Sequence, residues 1–312
     1  MKIRFWGVRG SIPTPMTPDK LKSKISSVIQ SITSDDLISQ EARERFIARL
    51  PESVFSTVGG NTSCVELKTT ENCHLIFDAG TGIQNLGSQI LASKKHLPVH
   101  LFFSHFHWDH IQGLPFFGPA YDPATNLTFY SPRSDFQEIL ENQMREPVFP
   151  ITMATMRAQK NFCILTGDCI QIGDIKVHYR KMNHPGGCYS YAVEEEGHKV
   201  IYSTDTELDA KDFDRTPENE RYFRNTDALI IDTQYTLGEA IEKQFWGHSS
   251  FSLAADFASS WRIKKLILFH HEPMYNDKKI DTILKSAAWY LGHLEERGIE
   301  VILAREGLEI DI

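Results

Sequence analysis

No apolar stretch in this 312-residue chain approaches the roughly 18 residues that a membrane helix needs, so a membrane-spanning protein is not expected. The opening residues, Met1-Lys2-Ile3-Arg4-Phe5-Trp6-Gly7, lack a basic region followed by an apolar one, and a secretory signal is not expected either. Cysteine is scarce: Cys64, Cys73, Cys163, Cys169 and Cys188 are odd in number, and none stands in a CxxC pair. That pattern argues against a disulfide framework or a cysteine zinc site and predicts reduced, structural thiols in the cytoplasm. Positive charge is in deficit, with 33 basic against 41 acidic residues and a net charge of −8. Avid non-specific nucleic-acid binding, which runs on counterion release by Lys and Arg, is disfavoured. Low-complexity linkers and visible repeats are also missing, and 41% apolar with 24% charged residues excludes disordered and fibrous classes. One compact domain over 1–312 is expected.

Residues 16–52 read differently from the rest. Leu21, Ile25, Val28, Ile29 and Ile32 follow helical spacing behind Thr17, an N-cap, and Pro18, a first-turn proline. Thr33-Ser34-Asp35-Asp36 reads as a capping box, and Ile38, Ala42, Phe46 and Leu50 continue in steps of four. Two amphipathic helices are expected here, with six basic and six acidic residues in balance, so this is not a nucleic-acid arm. Elsewhere short β-rich runs dominate, at 2–8, 63–68, 74–78, 99–104, 127–130, 170–172, 176–180, 189–194, 199–203, 228–232, 265–269 and 300–304. Glu194-Glu195-Glu196 reads as a solvated hairpin tip, and helices are expected at 134–145, 250–261 and 280–297. Paired strands with helices between them predict a mixed α/β (α+β) chain, two sheets sandwiched between helices.

The strongest chemical signal is Ser104-His105-Phe106-His107-Trp108-Asp109-His110, where the apolar strand Leu101-Phe102-Phe103 runs out into a loop. Imidazole nitrogens and carboxylate oxygens are the donors that hold zinc and similar divalent ions. His105 and His107, two apart on an extended segment, point the same way, and a turn at Trp108 lets Asp109 and His110 face a second ion. Completing two coordination spheres requires further His and Asp residues at strand ends. His184 before Pro185-Gly186-Gly187, Asp205 after Val200–Thr204, and His270 after Leu266–Phe269 supply them.

HxHxDH followed by a single His, an Asp and a last His resembles the metallo-β-lactamase superfamily. The order is similar to its phosphodiesterase branch, which includes transfer-RNA 3′-end-processing endonucleases (RNase Z) and small cyclic nucleotide phosphodiesterases. Phe5–Ser11, Gly59–Ser63, Asp78–Gly82 and Gly247–Ser250 add to the likeness, which runs along the chain except for an insertion at about 16–52. The resemblance implies a four-layer αββα sandwich with the site at one edge of the two sheets. It also implies that His105, His107 and His184 hold one metal, that Asp109, His110 and His270 hold another, and that Asp205 bridges both. His271 is the rival of His270 for the last position.

Two such ions share an activated water and supply a metal-bridging hydroxide to a phosphodiester, while a histidine outside both spheres protonates the leaving oxygen. His248 in Gly247-His248-Ser249-Ser250 fits that role by resemblance, with Asp232 as its acid, although the relatives usually have Glu there. Asp78 is expected either to orient a ligating His or to cap the Gly80-Thr81-Gly82 turn. Zinc is the expected metal, with manganese as the alternative.

Residues 111–183 hold seven basic and seven acidic residues and no protruding basic arm. A small-substrate phosphodiesterase acting on cyclic nucleotides is therefore expected, in a homodimer by resemblance. An RNase Z-like endonuclease, a thioester or lactone hydrolase, and a metal-dependent nucleotide binder are the alternatives. Phe116, Phe117, Tyr121, Phe149, Trp246 and Tyr275 are candidates to stack on a base.

Overall fold

Consecutive strand residues feed two different cores, which is why the short apolar runs form a layered structure. Leu75, Phe77 and Phe102 face the interior between two sheets, while Ile76, Leu101 and Phe103 face outward onto helices. The computed structural model describes residues 1–294 and 298–312.

The strands are β1 (Lys2–Gly7), β2 (Cys64–Lys68), β3 (His74–Phe77), β4 (Val99–Phe102), β5 (Asn126–Ser131), β6 (Gln159–Ile164), β7 (Cys169–Ile172), β8 (Ile175–Met182), β9 (Cys188–Glu195), β10 (His198–Ser203), β11 (Ala228–Asp232), β12 (Lys265–Phe269), β13 (Glu300–Leu303) and β14 (Glu309–Asp311). Among the described residues they form two seven-stranded sheets, ordered β14-β1-β2-β3-β4-β5-β6 and β13-β12-β11-β10-β9-β8-β7. In each sheet four neighbouring strands are parallel, β3 to β6 and β10 to β13, and the remaining pairings are antiparallel. Carboxyl ends of parallel strands gather unpaired loops at one edge, the usual place for a ligand site in such sheets.

The larger helices are α1 (Pro18–Ser31), α2 (Gln40–Arg49), α3 (Ile83–Ser93), α4 (Phe136–Gln143), α5 (Phe251–Trp261) and α6 (Asp277–His293). Ile83, Leu86 and Ile90 of α3 bury their stripe on the first sheet, and Ala254, Phe257 and Ala258 of α5 with Ile280, Ile283 and Ala287 of α6 cover the second. The αββα order expected from the sequence is thus observed. Helix α6 begins three residues earlier than expected, capped by Asn276, and its expected end at 295–297 lies outside the described residues.

One expectation needs correction. Glu195 is buried and accepts from the Thr70 N–H (2.9 Å) and hydroxyl (2.7 Å), so the acidic run is not wholly a solvated tip. Helix α3 and strands β6 and β14 are not among the elements expected from the sequence.

The insertion forms both helices, with Thr17 and Ser39 as caps. Helix α1 buries none of its residues, whereas α2 buries Ala42 and Phe46. The Lys24 ammonium ties α1 to the start of α6 through Asp277 at 2.7 Å, and it also reaches the carbonyls of Ser53 and Ser56. A cavity of about 710 Å³ lies between α1 and α6.

Candidate metal centre

All the predicted site residues except His248, which lies in the loop before α5, stand at or just beyond the carboxyl end of a strand. Asp78 follows β3, His105–His110 follow β4, His184 follows β8, Asp205 follows β10, Asp232 closes β11 and His270 follows β12. Asp78, Asp205 and His270 have φ of 61°, 44° and 60°, left-handed conformations that cost about 1–3 kcal/mol each in a non-glycine residue. The turn away from the strand comes at that residue, which leaves its side chain facing the site.

The seven proposed ligands converge. One donor atom each from His105, His107, His184 and Asp205 lies within 4.8 Å of the others, and so does one each from Asp109, His110, Asp205 and His270. Asp205 belongs to both groups. His270, and not His271, enters the cluster: His271 Nε2–H donates to the Ala304 carbonyl at 2.8 Å, and burial pushes its imidazole down to about 3.

The outer hydrogen bonds fix where the lone pairs point. Asp78 accepts from His110 Nδ1–H at 2.8 Å, from the Ser104 N–H and hydroxyl at 2.7 and 2.6 Å, and from the Tyr202 hydroxyl at 2.7 Å. His105 Nδ1–H donates to the Ser104 hydroxyl at 3.1 Å, His184 Nδ1–H to the Gly247 carbonyl at 2.8 Å, and His270 Nδ1–H to Gln234 Oε1 at 3.1 Å. In all four rings the Nε2 lone pair therefore faces inward. His110 Nε2 lies 3.1 Å from Asp205 Oδ1 and 3.2 Å from Asp109 Oδ2, and His270 Nε2 is 3.2 Å from the same two oxygens. Lone pairs against carboxylate oxygens repel unless positive charge lies between them. Among the described residues, His105 Nε2 and His110 Nε2 are buried without a hydrogen-bond partner, a cost of about 1–3 kcal/mol each. Burial opposes charge on His110, yet Asp109, Asp205 and Asp78 hold its imidazole well above the ordinary range. The donor set thus fits divalent cations.

Beside this cluster His248 Nδ1–H donates to Asp232 Oδ2 at 2.6 Å, and the ring stacks on His270 at 5.2 Å. Burial works against its protonation, but the Asp232 carboxylate outweighs it and raises His248 to about 9. Asp232 is itself fixed by the N–H groups of Gln234 (2.9 Å) and Thr206 (3.3 Å), so aspartate reaches this histidine without the longer glutamate chain.

Several contributors were not read from the sequence. The Ser11 N–H, at a left-handed φ of 61°, donates to Asp109 Oδ2 at 2.7 Å. Gly10 lets that loop approach, since a Cβ there would stand 2.5 Å from His270 Cε1. Gln234 and Tyr202 carried no motif and Ser104 opened the HxHxDH run without a role, although the Gly10-Ser11 turn was a visible signal. Of the suggested stacking residues, Phe117 and Tyr275 are buried, and Phe116 packs edge-on to Phe149 at 5.8 Å. Ser11, Phe106, His107, Trp108, Asp109, Asp205 and His248 line a cleft of about 400 Å³, to which none of residues 16–52 contributes.

Residues 74–271, well over half of the chain, match the family model described as the beta-lactamase superfamily domain. The chain belongs to the beta-lactamase superfamily. Ribonuclease Z from Ligilactobacillus salivarius is similar at 25% identity over 286 residues, covering 73% of this chain and 86% of the relative. Two solved structures share the fold. The metallo-beta-lactamase fold protein YhfI from Bacillus subtilis superposes with a TM-score of 0.64 at 16% identity, covering 99% of this chain and 98% of the other. The short form of human tRNase Z gives 0.60 at 17% identity, covering 100% and 99%. As a member of this superfamily the chain is a metal-dependent hydrolase.

Proposed function

We propose that the chain hydrolyses phosphodiesters at a two-cation centre, with His248 as the proton donor. The observation that carries this reading is Asp205 standing in two four-residue donor groups at once, with the Asp232–His248 pair alongside. His105, His107, His184 and Asp205 would hold one cation, and Asp109, His110, His270 and Asp205 the other; the His-rich first set favours zinc, with manganese as the alternative. Bound divalent ions lower the pKa of water and neutralise charge on a reacting phosphoryl group.

The chain's own groups do the rest. Asp78, Gly247 and Gln234 keep protons on the outward nitrogens of His110, His184 and His270, so that Nε2 can donate. Asp232 holds the Nδ1 proton of His248, which leaves Nε2 to protonate the departing ribose or nucleoside oxygen. The Ser11 N–H keeps Asp109 turned inward.

An RNase Z-like reaction on the 3′ end of an RNA is the reading that the ribonuclease Z relative favours. The cyclic nucleotide reading is favoured by the net charge of −8, which suits a small substrate better than a long polyanion. Both are tested on one metal-replete preparation, with precursor tRNA carrying a 3′ trailer and with 3′,5′-cyclic nucleotides. Trailer cleavage that is lost in His248→Ala is the expected result. Turnover of cyclic nucleotides alone assigns the small substrate, and turnover of thioesters or lactones alone ends the phosphodiester reading.

A further inference from the structure

Three of the most exposed large side chains adjoin residues of this cleft in the chain, and one of them, Trp108, lines the cleft itself. Trp108 is 82% exposed between His107 and Asp109, and Phe245 (83%) and Trp246 (62%) run directly into Gly247 and His248. They come from opposite halves of the sandwich, Trp108 after β4 of the first sheet and Phe245-Trp246 between β11 and α5 of the second. The second segment is fixed. Glu207, two residues after Asp205, accepts the N–H groups of both Phe245 and Gly247 at 3.0 Å. Phe245 has a φ of 69°, a left-handed conformation that bulky residues rarely adopt. Gly247 packs directly on the His184 ring, where a Cβ would clash. Lys243 stands 5.9 Å from the Trp246 ring centroid, adding a cation–π contact.

The cleft floor points the same way. Neither Lys nor Arg is among its lining residues. A phosphate there would meet the cations and His248 rather than a basic side chain, with Trp108 lining the cleft and Trp246 two positions before His248. Solvent-facing rings clustered at a polar site mark a binding surface.

We propose that Trp108 and Trp246, the latter aimed by the Phe245 turn, form a clamp that stacks nucleobases on either side of the scissile phosphodiester. The proposal rests on the phosphodiesterase reading and gives that site its selectivity. Its ligands are nucleoside phosphodiesters with unpaired bases, since an alkyl ester offers no π-face to the rim.

The test compares thymidine 5′-p-nitrophenyl phosphate with methyl p-nitrophenyl phosphate in the metal-replete protein, and it measures binding of AMP against ribose 5-phosphate by calorimetry. Trp246→Ala should lower the preference for the nucleoside ester about tenfold through KM, and weaken AMP binding about tenfold. Trp246→Phe should restore most of both. Trp108→Ala should act in the same direction, with its metal content measured because its neighbours are proposed ligands. Trp289→Ala, an equally exposed ring on α6, should change neither ratio. If the wild-type protein turns over the esters while Trp246→Ala and Trp108→Ala keep its preference and AMP affinity, the clamp is wrong and the phosphodiesterase stands. AMP binding that depends on Trp246 in a protein that hydrolyses neither ester overturns the reaction and keeps the clamp. Absence of both hydrolysis and AMP binding overturns the two together.

Discussion

Helix α1 turns Leu21, Ile25 and Ile29 into solvent, between 51% and 65% exposed, while its Lys24 reaches inward to Asp277. At the sheet edge the arrangement is reversed: His105, His110 and Asp205 are no more than 3% exposed and crowd polar atoms together. Buried polar groups at the edge are held by strand ends, a net of hydrogen bonds and, when loaded, cations. The insertion is held to the rest of the chain by the Lys24–Asp277 and Glu52–Arg305 ion pairs and by Lys24 reaching two carbonyls beside a cavity.

The comparison can be broken at several points, the largest effect first. Asp205→Asn removes the carboxylate common to both donor groups; elemental analysis should find both cations depleted and hydrolysis abolished. His248→Ala should retain both cations and lose on the order of 10²–10⁴-fold in kcat, read by steady-state kinetics. Asp78→Asn should weaken metal binding by about 10–100-fold without altering the fold, as followed by competition with a chromogenic chelator.

On the insertion side, Lys24→Ala should cost only about 1–3 kcal/mol in urea unfolding and leave metal content unchanged. Burial pushes the Asp277 carboxyl up, but Lys24 and the Val58 N–H more than offset this and hold it below the usual carboxylate range. Its contribution is therefore present above the ordinary carboxylate pKa and lost as pH falls through the folded value. The gap between wild type and Lys24→Ala should close as the buffer is taken below about pH 4. Smallest of all, Ile25→Ser should change the stability of the isolated chain by no more than about 0.5 kcal/mol. A larger loss, accompanied by a change in mass by light scattering, would mean that another surface covers this stripe.

Much of the edge was legible because strand period and ligand chemistry coincide there. Ala228–Asp232 and Lys265–Phe269 are unbroken apolar runs that end on an acid or meet a histidine, and both strands were read to the residue. The HxHxDH run needed no tertiary knowledge. Helix α3 escaped because Gly82 and Gly87 break its pattern, and β6 because Gln159-Lys160-Asn161 carries no strand alternation and pairs only once β5 is in place. The choice between His270 and His271 could not be made from spacing, since what separates them is a left-handed backbone at His270 and a carbonyl, Ala304, that claims His271. Glu195 looked solvated because its partner, Thr70, lies 125 positions away.

The Tyr202 hydroxyl, bonded to Asp78 at 2.7 Å, joins a strand of one sheet to the strand end of the other. Tyr202 lies three positions before Asp205, and Asp78 orients His110, so this phenol gauges the lateral offset of the two β-layers. A slip of even half an ångström between the layers would be felt as misaligned coordination, making the aromatic interior a length standard for the chemistry at its rim.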